Sequence, residues 1–191
     1  NWRLHQLRTR VVDVALKQLD KTAAQVTVKL RLAPPAHHRR GFDQTSVYTF
    51  LGSGDIIIDT HLVPQGEMPP QLPRVGLMMS LGKQFDQVQW LGRGPGESYP
   101  DTKASQLIGH WRATVDQLFT NYIFPQENGL RSACRYVALT NQRGQGLLAV
   151  GCPSLHFSAG WHTPQDLEKA RHPHELVKRD DITLILDHAH N

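Results

Sequence analysis

Apolar and polar residues alternate with period two along most of this chain, the pattern of half-buried strands rather than helices. Gln25-Val26-Thr27-Val28-Lys29-Leu30-Arg31-Leu32 is the cleanest case, with four apolar residues on one face. Thr9 to Leu19 alternates as well, with Val12, Val14 and Leu16 expected to share a side. Asp20-Lys21-Thr22 reads as the turn joining these two strands into a hairpin. Further strands are predicted at Thr45–Leu51, Ile56–Val63, Val75–Leu81, Phe85–Leu91, Ser132–Leu139, Gly146–Val150, Ser154–Ala159 and Ile182–His188. Gly52-Ser53-Gly54-Asp55 and Gly82-Lys83 supply turns between them. Val26, Val28, Leu30, Val88, Trp90, Ile182, Leu184 and Leu186 are the expected core.

Helical signals are few. Thr163-Pro164-Gln165-Asp166 opens the best one, with Thr163 as cap, Pro164 at the first position and Asp166 in the first turn. Short helices are also expected within residues 1–8, capped by Asn1, and at 101–105. Gln106 to Thr120 is expected to be mostly extended. Four prolines and a glycine in 64–73 predict a loop there. The pattern as a whole predicts an all-β, mostly antiparallel fold.

The chain has 191 residues, 39% of them hydrophobic, enough to bury a core as one globular domain or a compact pair; a single domain, 1–191, is expected. It begins at Asn1 rather than Met, which suggests a fragment of a larger protein. No apolar run approaches the ~18 residues of a membrane span, so no membrane partner is expected. The net charge of +4 comes with dispersed basic residues, apart from Arg3/Arg8/Arg10 and His37-His38-Arg39-Arg40. A dense basic stripe with interleaved aromatics is missing, so no nucleic-acid partner is expected. Cys134 and Cys152 are too few for a disulfide framework or a four-cysteine zinc site. Both are expected reduced and buried, which fits a cytoplasmic setting.

Trp90 to Asp101, Trp-Leu-Gly-Arg-Gly-Pro-Gly-Glu-Ser-Tyr-Pro-Asp, is the most distinctive stretch. Its glycines and Pro95 predict a shaped loop presenting Glu97, Tyr99 and Asp101. The glycine spacing departs from a dinucleotide fingerprint, and Pro95 interrupts it. Glu97 and Asp101 invite comparison with the carboxylate pair of a retaining glycosidase, ~5–5.5 Å apart. Acidic groups in such loops more often accept backbone N–H bonds. Glu97, Tyr99, Asp101, Glu127 and Asn128 are therefore candidates for a structural or interface loop, with no catalytic, substrate-binding or metal residue assigned. His172-Pro173-His174 and His188-Ala189-His190 carry metal-compatible spacing without an evident third ligand. Among the tryptophans, Trp161 is the best candidate for exposure, and Trp90 belongs to a strand.

Three motifs carry a family resemblance. The 90–101 stretch resembles the Gly-Pro-x-Glu-Asn-Tyr-x-Asp-Arg signature in the C-terminal domain of family-two bacterial β-galactosidases. Ser98 and Thr102 depart from it, standing where the family has Asn and Arg. Leu72-Pro73-Arg74-Val75-Gly76 is similar to that family's Leu-Pro-Arg-x-Gly. Tyr122-Ile123-Phe124-Pro125-Gln126-Glu127-Asn128-Gly129 is similar to its Tyr-x-x-Pro-x-Glu-Asn-Gly loop. The resemblance implies a galactose-mutarotase-like antiparallel β-sandwich, the last domain of a retaining β-galactosidase. Its catalytic glutamates would lie on a separate barrel, which alone needs ~250 residues. By the same resemblance this segment is inactive alone and holds no cofactor, while parent enzymes often use Mg and Na in other domains. Its partners would be the remaining domains or a large chain of a homo-oligomeric parent, and galactosides through that parent. The alternatives are a stand-alone carbohydrate-binding module or an aldose-1-epimerase-like enzyme on the same fold.

Overall fold

The computed structural model describes residues 4–35 and 39–190, with His190 described for its backbone alone. The Asn1 cap, Trp2, Arg3, the His37-His38 pair and Asn191 lie outside the described residues. The chain divides into two compact units, Asn1–Pro70 and Gln71–Asn191.

The first unit is a four-stranded antiparallel meander: β1 (Arg8–Gln18), β2 (Ala23–Ala33), β3 (Gly41–Leu51) and β4 (Ile56–Gln65). A 3-10 turn at Leu4–Gln6 is what remains of the expected N-terminal helix among the described residues. The β1–β2 hairpin forms as predicted, and Asp20 Oδ1 holds its turn by accepting from the Thr22 N–H at 2.7 Å. A register shift between Val11 and Asp13 makes Val12 the extra residue, so Val11 rather than Val12 stands opposite Leu30. Leu16, Val26, Tyr48 and Ile58 align across all four strands in one apolar rung. Val26, Val28 and Leu30 are only half-buried, not core. Leu16 on the β1 edge is 75% exposed. The unit is one layer, and no second layer of its own described residues covers this face. The predicted 64–73 loop begins late, because β4 runs through Pro64, opposite Phe42. Proline is tolerated there because β4 is an edge strand with an unpaired side.

The second unit is a six-stranded antiparallel sheet. Its strands are β5 (Arg74–Gly82), β6 (Gln87–Gly94), β7 (Leu107–Thr114), β8 (Arg131–Thr140), β9 (Gly146–Gly160) and β10 (Asp181–His190). They lie in the order β5-β10-β9-β8-β6-β7. Although a turn joins β5 to β6, the two do not pair: β5 takes β10 as its neighbour. β6 alternates half-buried and buried residues along its whole length. Val88, Trp90, Val137, Leu139, Phe157, Ile182 and Leu184 form the core, closed by Val115 and Leu118 of α1 (Val115–Leu118). Leu186 packs against it half-buried. The region 106–120 is thus a strand followed by one helical turn capped by Thr114.

Two predicted strands, 146–150 and 154–159, are one long strand, β9, that bulges away from β8 between Val150 and Leu155. The bulge carries Cys152 into solvent, correcting its expected burial; Cys134 is buried as expected. The helix at 163–170 is α2 (Pro164–Lys169), with the Thr163/Asp166 capping box formed in both directions. Arg179 adds two bonds to the Asp166 carboxylate, at 2.6 and 3.0 Å. The Arg179 bonds, followed by the Thr163 bonds, hold the Asp166 carboxyl well below its usual range. Among the described residues no helix is long and apolar enough to cross a membrane.

Candidate functional site

The three motif segments meet in the second unit. After β6, the chain turns through a cis Gly94–Pro95 peptide. Backbone and side-chain bonds then pin the loop. The Gly96 N–H donates to Gln106 Oε1 at 2.8 Å, and Arg131 Nε donates to the Pro95 carbonyl at 3.0 Å. Arg93 donates to the carbonyls of Lys103 and Gln106, tying the loop to the 3-10 turn Lys103–Ser105. Gly92 must lack a side chain, because a Cβ there would lie 2.7 Å from Cys134 Cα on the neighbouring strand.

Glu97 is the link between loops. Its Oε1 accepts from the Gly129 N–H at 2.5 Å, and its Oε2 from the Tyr122 hydroxyl at 2.7 Å. Gly129 reaches this geometry at φ +81°, which favours glycine. Both Glu97 oxygens are therefore engaged by the 122–129 loop, and among the described residues no second carboxylate is bonded to them. Asp101 is exposed at the end of the loop, near enough to Tyr122 for its charge to act there. Tyr99 is half-buried, and its phenol is held well above the usual range, first by burial and then by the charges of Glu127 and Glu97.

Glu127 and Asn128 hold the second loop. Asn128 Oδ1 accepts from the Thr120 N–H at 3.2 Å, and its amide donates to the Gln126 carbonyl at 3.0 Å. Glu127 Oε1 accepts from Arg74 Nη2 at 2.8 Å. Arg74 Nε also donates to Asp187 Oδ2 at 3.0 Å, and Asp187 on β10 is fully buried. Gly76, opposite Asp187 in the β5–β10 register, leaves room for that carboxylate: a Cβ there would lie 2.8 Å from Asp187 Cα. Arg74 and Gly76 of the Leu-Pro-Arg-Val-Gly motif thus both serve one buried acid. Neither Arg74 nor Asp187 was singled out as a site residue in the sequence, since nothing local marks an acid on a strand 113 positions away as its partner.

Ser98, which in the sequence marks only a departure from the family motif, has a structural role. It is fully buried, and its Oγ accepts from the Ser132 N–H at 2.7 Å and bonds the Ser132 hydroxyl at 3.0 Å. On the 122–129 loop itself, Ile123 is 92% exposed and Phe124 is also exposed. Trp161, the expected exposed tryptophan, is half-buried against the core, with Lys178 Nζ 5.6 Å from its ring centroid. The histidines of 172–174 lie on a 3-10 turn rather than a strand.

Tyr122 carries a testable pH dependence. Its hydrogen bond to Glu97, then burial, then the charges of Glu97 and Asp101 push its phenol from 10.0 up to about 12. A raised folded-state pKa means that the neutral phenol stabilises the fold fully below pH 10, and that this contribution is lost as pH rises through about 12. Denaturant titrations from neutral pH to pH 12 should therefore show a shallower alkaline loss of stability in Tyr122→Phe than in the wild type.

Fold and site define an all-β protein of two antiparallel sheets, in which Glu97 and Glu127 of the motifs bind the chain's own backbone and side chains. The chain belongs to the family described as "Beta galactosidase small chain", whose model matches residues 1–191. It is 40% identical over 143 residues to a beta-galactosidase of Vibrio cholerae, covering 75% of this chain and 13% of that protein. It is 36% identical over 145 residues to that of Pseudoalteromonas haloplanktis, again 75% and 13%. For the beta-galactosidase of Kluyveromyces lactis the match is 30% over 194 residues, 99% of this chain and 18% of the relative. The chain thus spans 13–18% of the length of these relatives.

Proposed function

We propose that this chain is a non-catalytic scaffold domain of a retaining β-galactosidase, acting on terminal β-D-galactosides through a barrel that lies elsewhere in the parent. The observation that carries this reading is Glu97. Its two oxygens accept from Gly129 and Tyr122 and are not free for acid–base or nucleophilic work. The partners are the remaining domains or large chain of the enzyme, in a cytoplasmic homo-oligomer. Exposed Ile123 and Phe124, carried on the loop that Glu97 and Arg74 hold, offer an apolar contact to such a neighbour. The segment itself needs no cofactor for this role.

The purified chain is expected not to hydrolyse a chromogenic β-galactoside. Glu97→Ala should destabilise it by about 1–3 kcal/mol, because the Gly129 N–H and the Tyr122 hydroxyl lose their acceptor. Glu97→Gln should cost less, since an amide still accepts from Gly129 and donates to the tyrosine oxygen. Galactoside turnover by the isolated chain that Glu97→Gln abolishes, with unchanged melting, would overturn the scaffold reading.

A further inference from the structure

We propose that His172, His174 and Glu175 form a binding site for a divalent transition metal of the zinc, nickel and copper class, on the turn between α2 and β10. The two histidines had no evident third ligand in the sequence; the fold supplies Glu175. His172 caps the 3-10 turn Pro173–Glu175, in which the Glu175 N–H donates to the His172 carbonyl at 3.0 Å. Pro173 restricts the backbone between the two histidines. Their rings stack with centroids 5.4 Å apart and planes inclined by 21°.

Glu175 folds back over this turn. Its Oε2 accepts from the Arg171 N–H at 2.9 Å, and its Oε1 lies 3.1 Å from His172 Nδ1. One ligand atom from each of the three side chains lies within 4.8 Å of the others. With metal–ligand bonds of ~2.0–2.2 Å, a tetrahedral zinc ion holds its ligand atoms ~3.3–3.5 Å apart. The His172–Glu175 edge is already near that length. His174 must bring its ligand nitrogen up to ~1.5 Å closer and turn its ring out of the stack with His172, so that its in-plane lone pair meets the same ion; both changes are open to it because all three side chains are exposed.

The donor set selects the class of metal. Two imidazole nitrogens and one carboxylate suit zinc, nickel or copper, whereas magnesium and calcium prefer an all-oxygen shell. Three protein ligands leave the remaining positions to water. The Arg171 N–H on the far carboxylate oxygen acts as an outer-shell support, fixing the orientation of Glu175. On binding, the metal takes the place of the hydrogen between His172 Nδ1 and Glu175 Oε1, and the neutral imidazole carries its one proton on Nε2 instead, transferred there through solvent.

The alternative is a surface His–Glu pair that binds nothing, and the two differ in what His174 does. The complete chain is titrated with Co²⁺, followed by its visible absorption, and with Zn²⁺, followed by calorimetry. Saturable one-to-one binding is expected. Loss of an outer-shell partner typically weakens metal binding 10–100-fold, so His174→Gln should weaken it by at least that. His110→Gln, a histidine elsewhere on the surface, should leave it unchanged. Because the three ligands are exposed, melting curves of the variants should match the wild type and exclude misfolding. Absence of saturable binding, or equal binding by wild type and His172→Gln/His174→Gln, overturns the proposal.

Discussion

Arg74→Ala is expected to destabilise the protein by about 3–5 kcal/mol, the usual cost of stripping one partner from a buried ion pair. Arg74 bridges two acids of very different exposure. Glu127 is 39% exposed and keeps part of its hydration, whereas Asp187 has none. The same arginine therefore has one costly dependant and one cheap one. Glu127→Gln should cost under about 1 kcal/mol, as for an exposed pair. Arg74→Lys should not restore stability fully, since an ammonium lacks the planar fork that reaches both carboxylates. Arg74→Met combined with Asp187→Leu should recover most of the loss, because the buried charge is removed with its partner. Urea titrations of the four variants test the assignment. Equal, small effects for Arg74→Ala and Glu127→Gln would show that Asp187 does not depend on Arg74.

Trp90→Ala is expected to cost about 3–5 kcal/mol, the range for removing a fully buried aromatic. Trp90 is 1% exposed and meets Phe157 edge-on, with centroids 5.7 Å apart. Its Nε1 donates to the Arg93 carbonyl at 2.9 Å, inside the strand end that launches the Glu97 loop. The Arg131 guanidinium lies 5.6 Å from the ring centroid while donating to the Pro95 carbonyl. Truncation thus opens a cavity and loosens two supports of the loop together. Trp90→Phe should cost less, keeping most of the apolar area but leaving the Arg93 carbonyl without this donor. Thermal melts distinguish this from a ligand-stacking role, in which Trp90→Ala would leave stability unchanged.

The two substitutions test different kinds of support, a long-range ion pair and a core side chain, and the two were not equally legible in the sequence. Val88 and Trp90 as core positions were legible, because a period of two on a strand assigns one face to the interior. The same logic placed Val26, Val28 and Leu30 inside, yet they are half-buried. Alternation says which face is apolar, but not whether anything covers it.

The sequence by itself determined what depends on neighbours a few residues apart. That includes the all-β class, the β1–β2 hairpin, the Thr163 cap of α2 and the three motifs that mark the family. Periodicity, turn chemistry and capping act within one or two turns of chain, so they can be read directly. Only the tertiary structure decided that β5 pairs with β10 instead of β6, that β9 bulges at Cys152 and that Asp187 is the acid buried beneath Arg74. It also gave Glu97 its partners, 25 and 32 residues away. Such pairings are settled by competition among all strands for edges and buried volume, and a carboxylate's role follows from which donors that competition brings within reach.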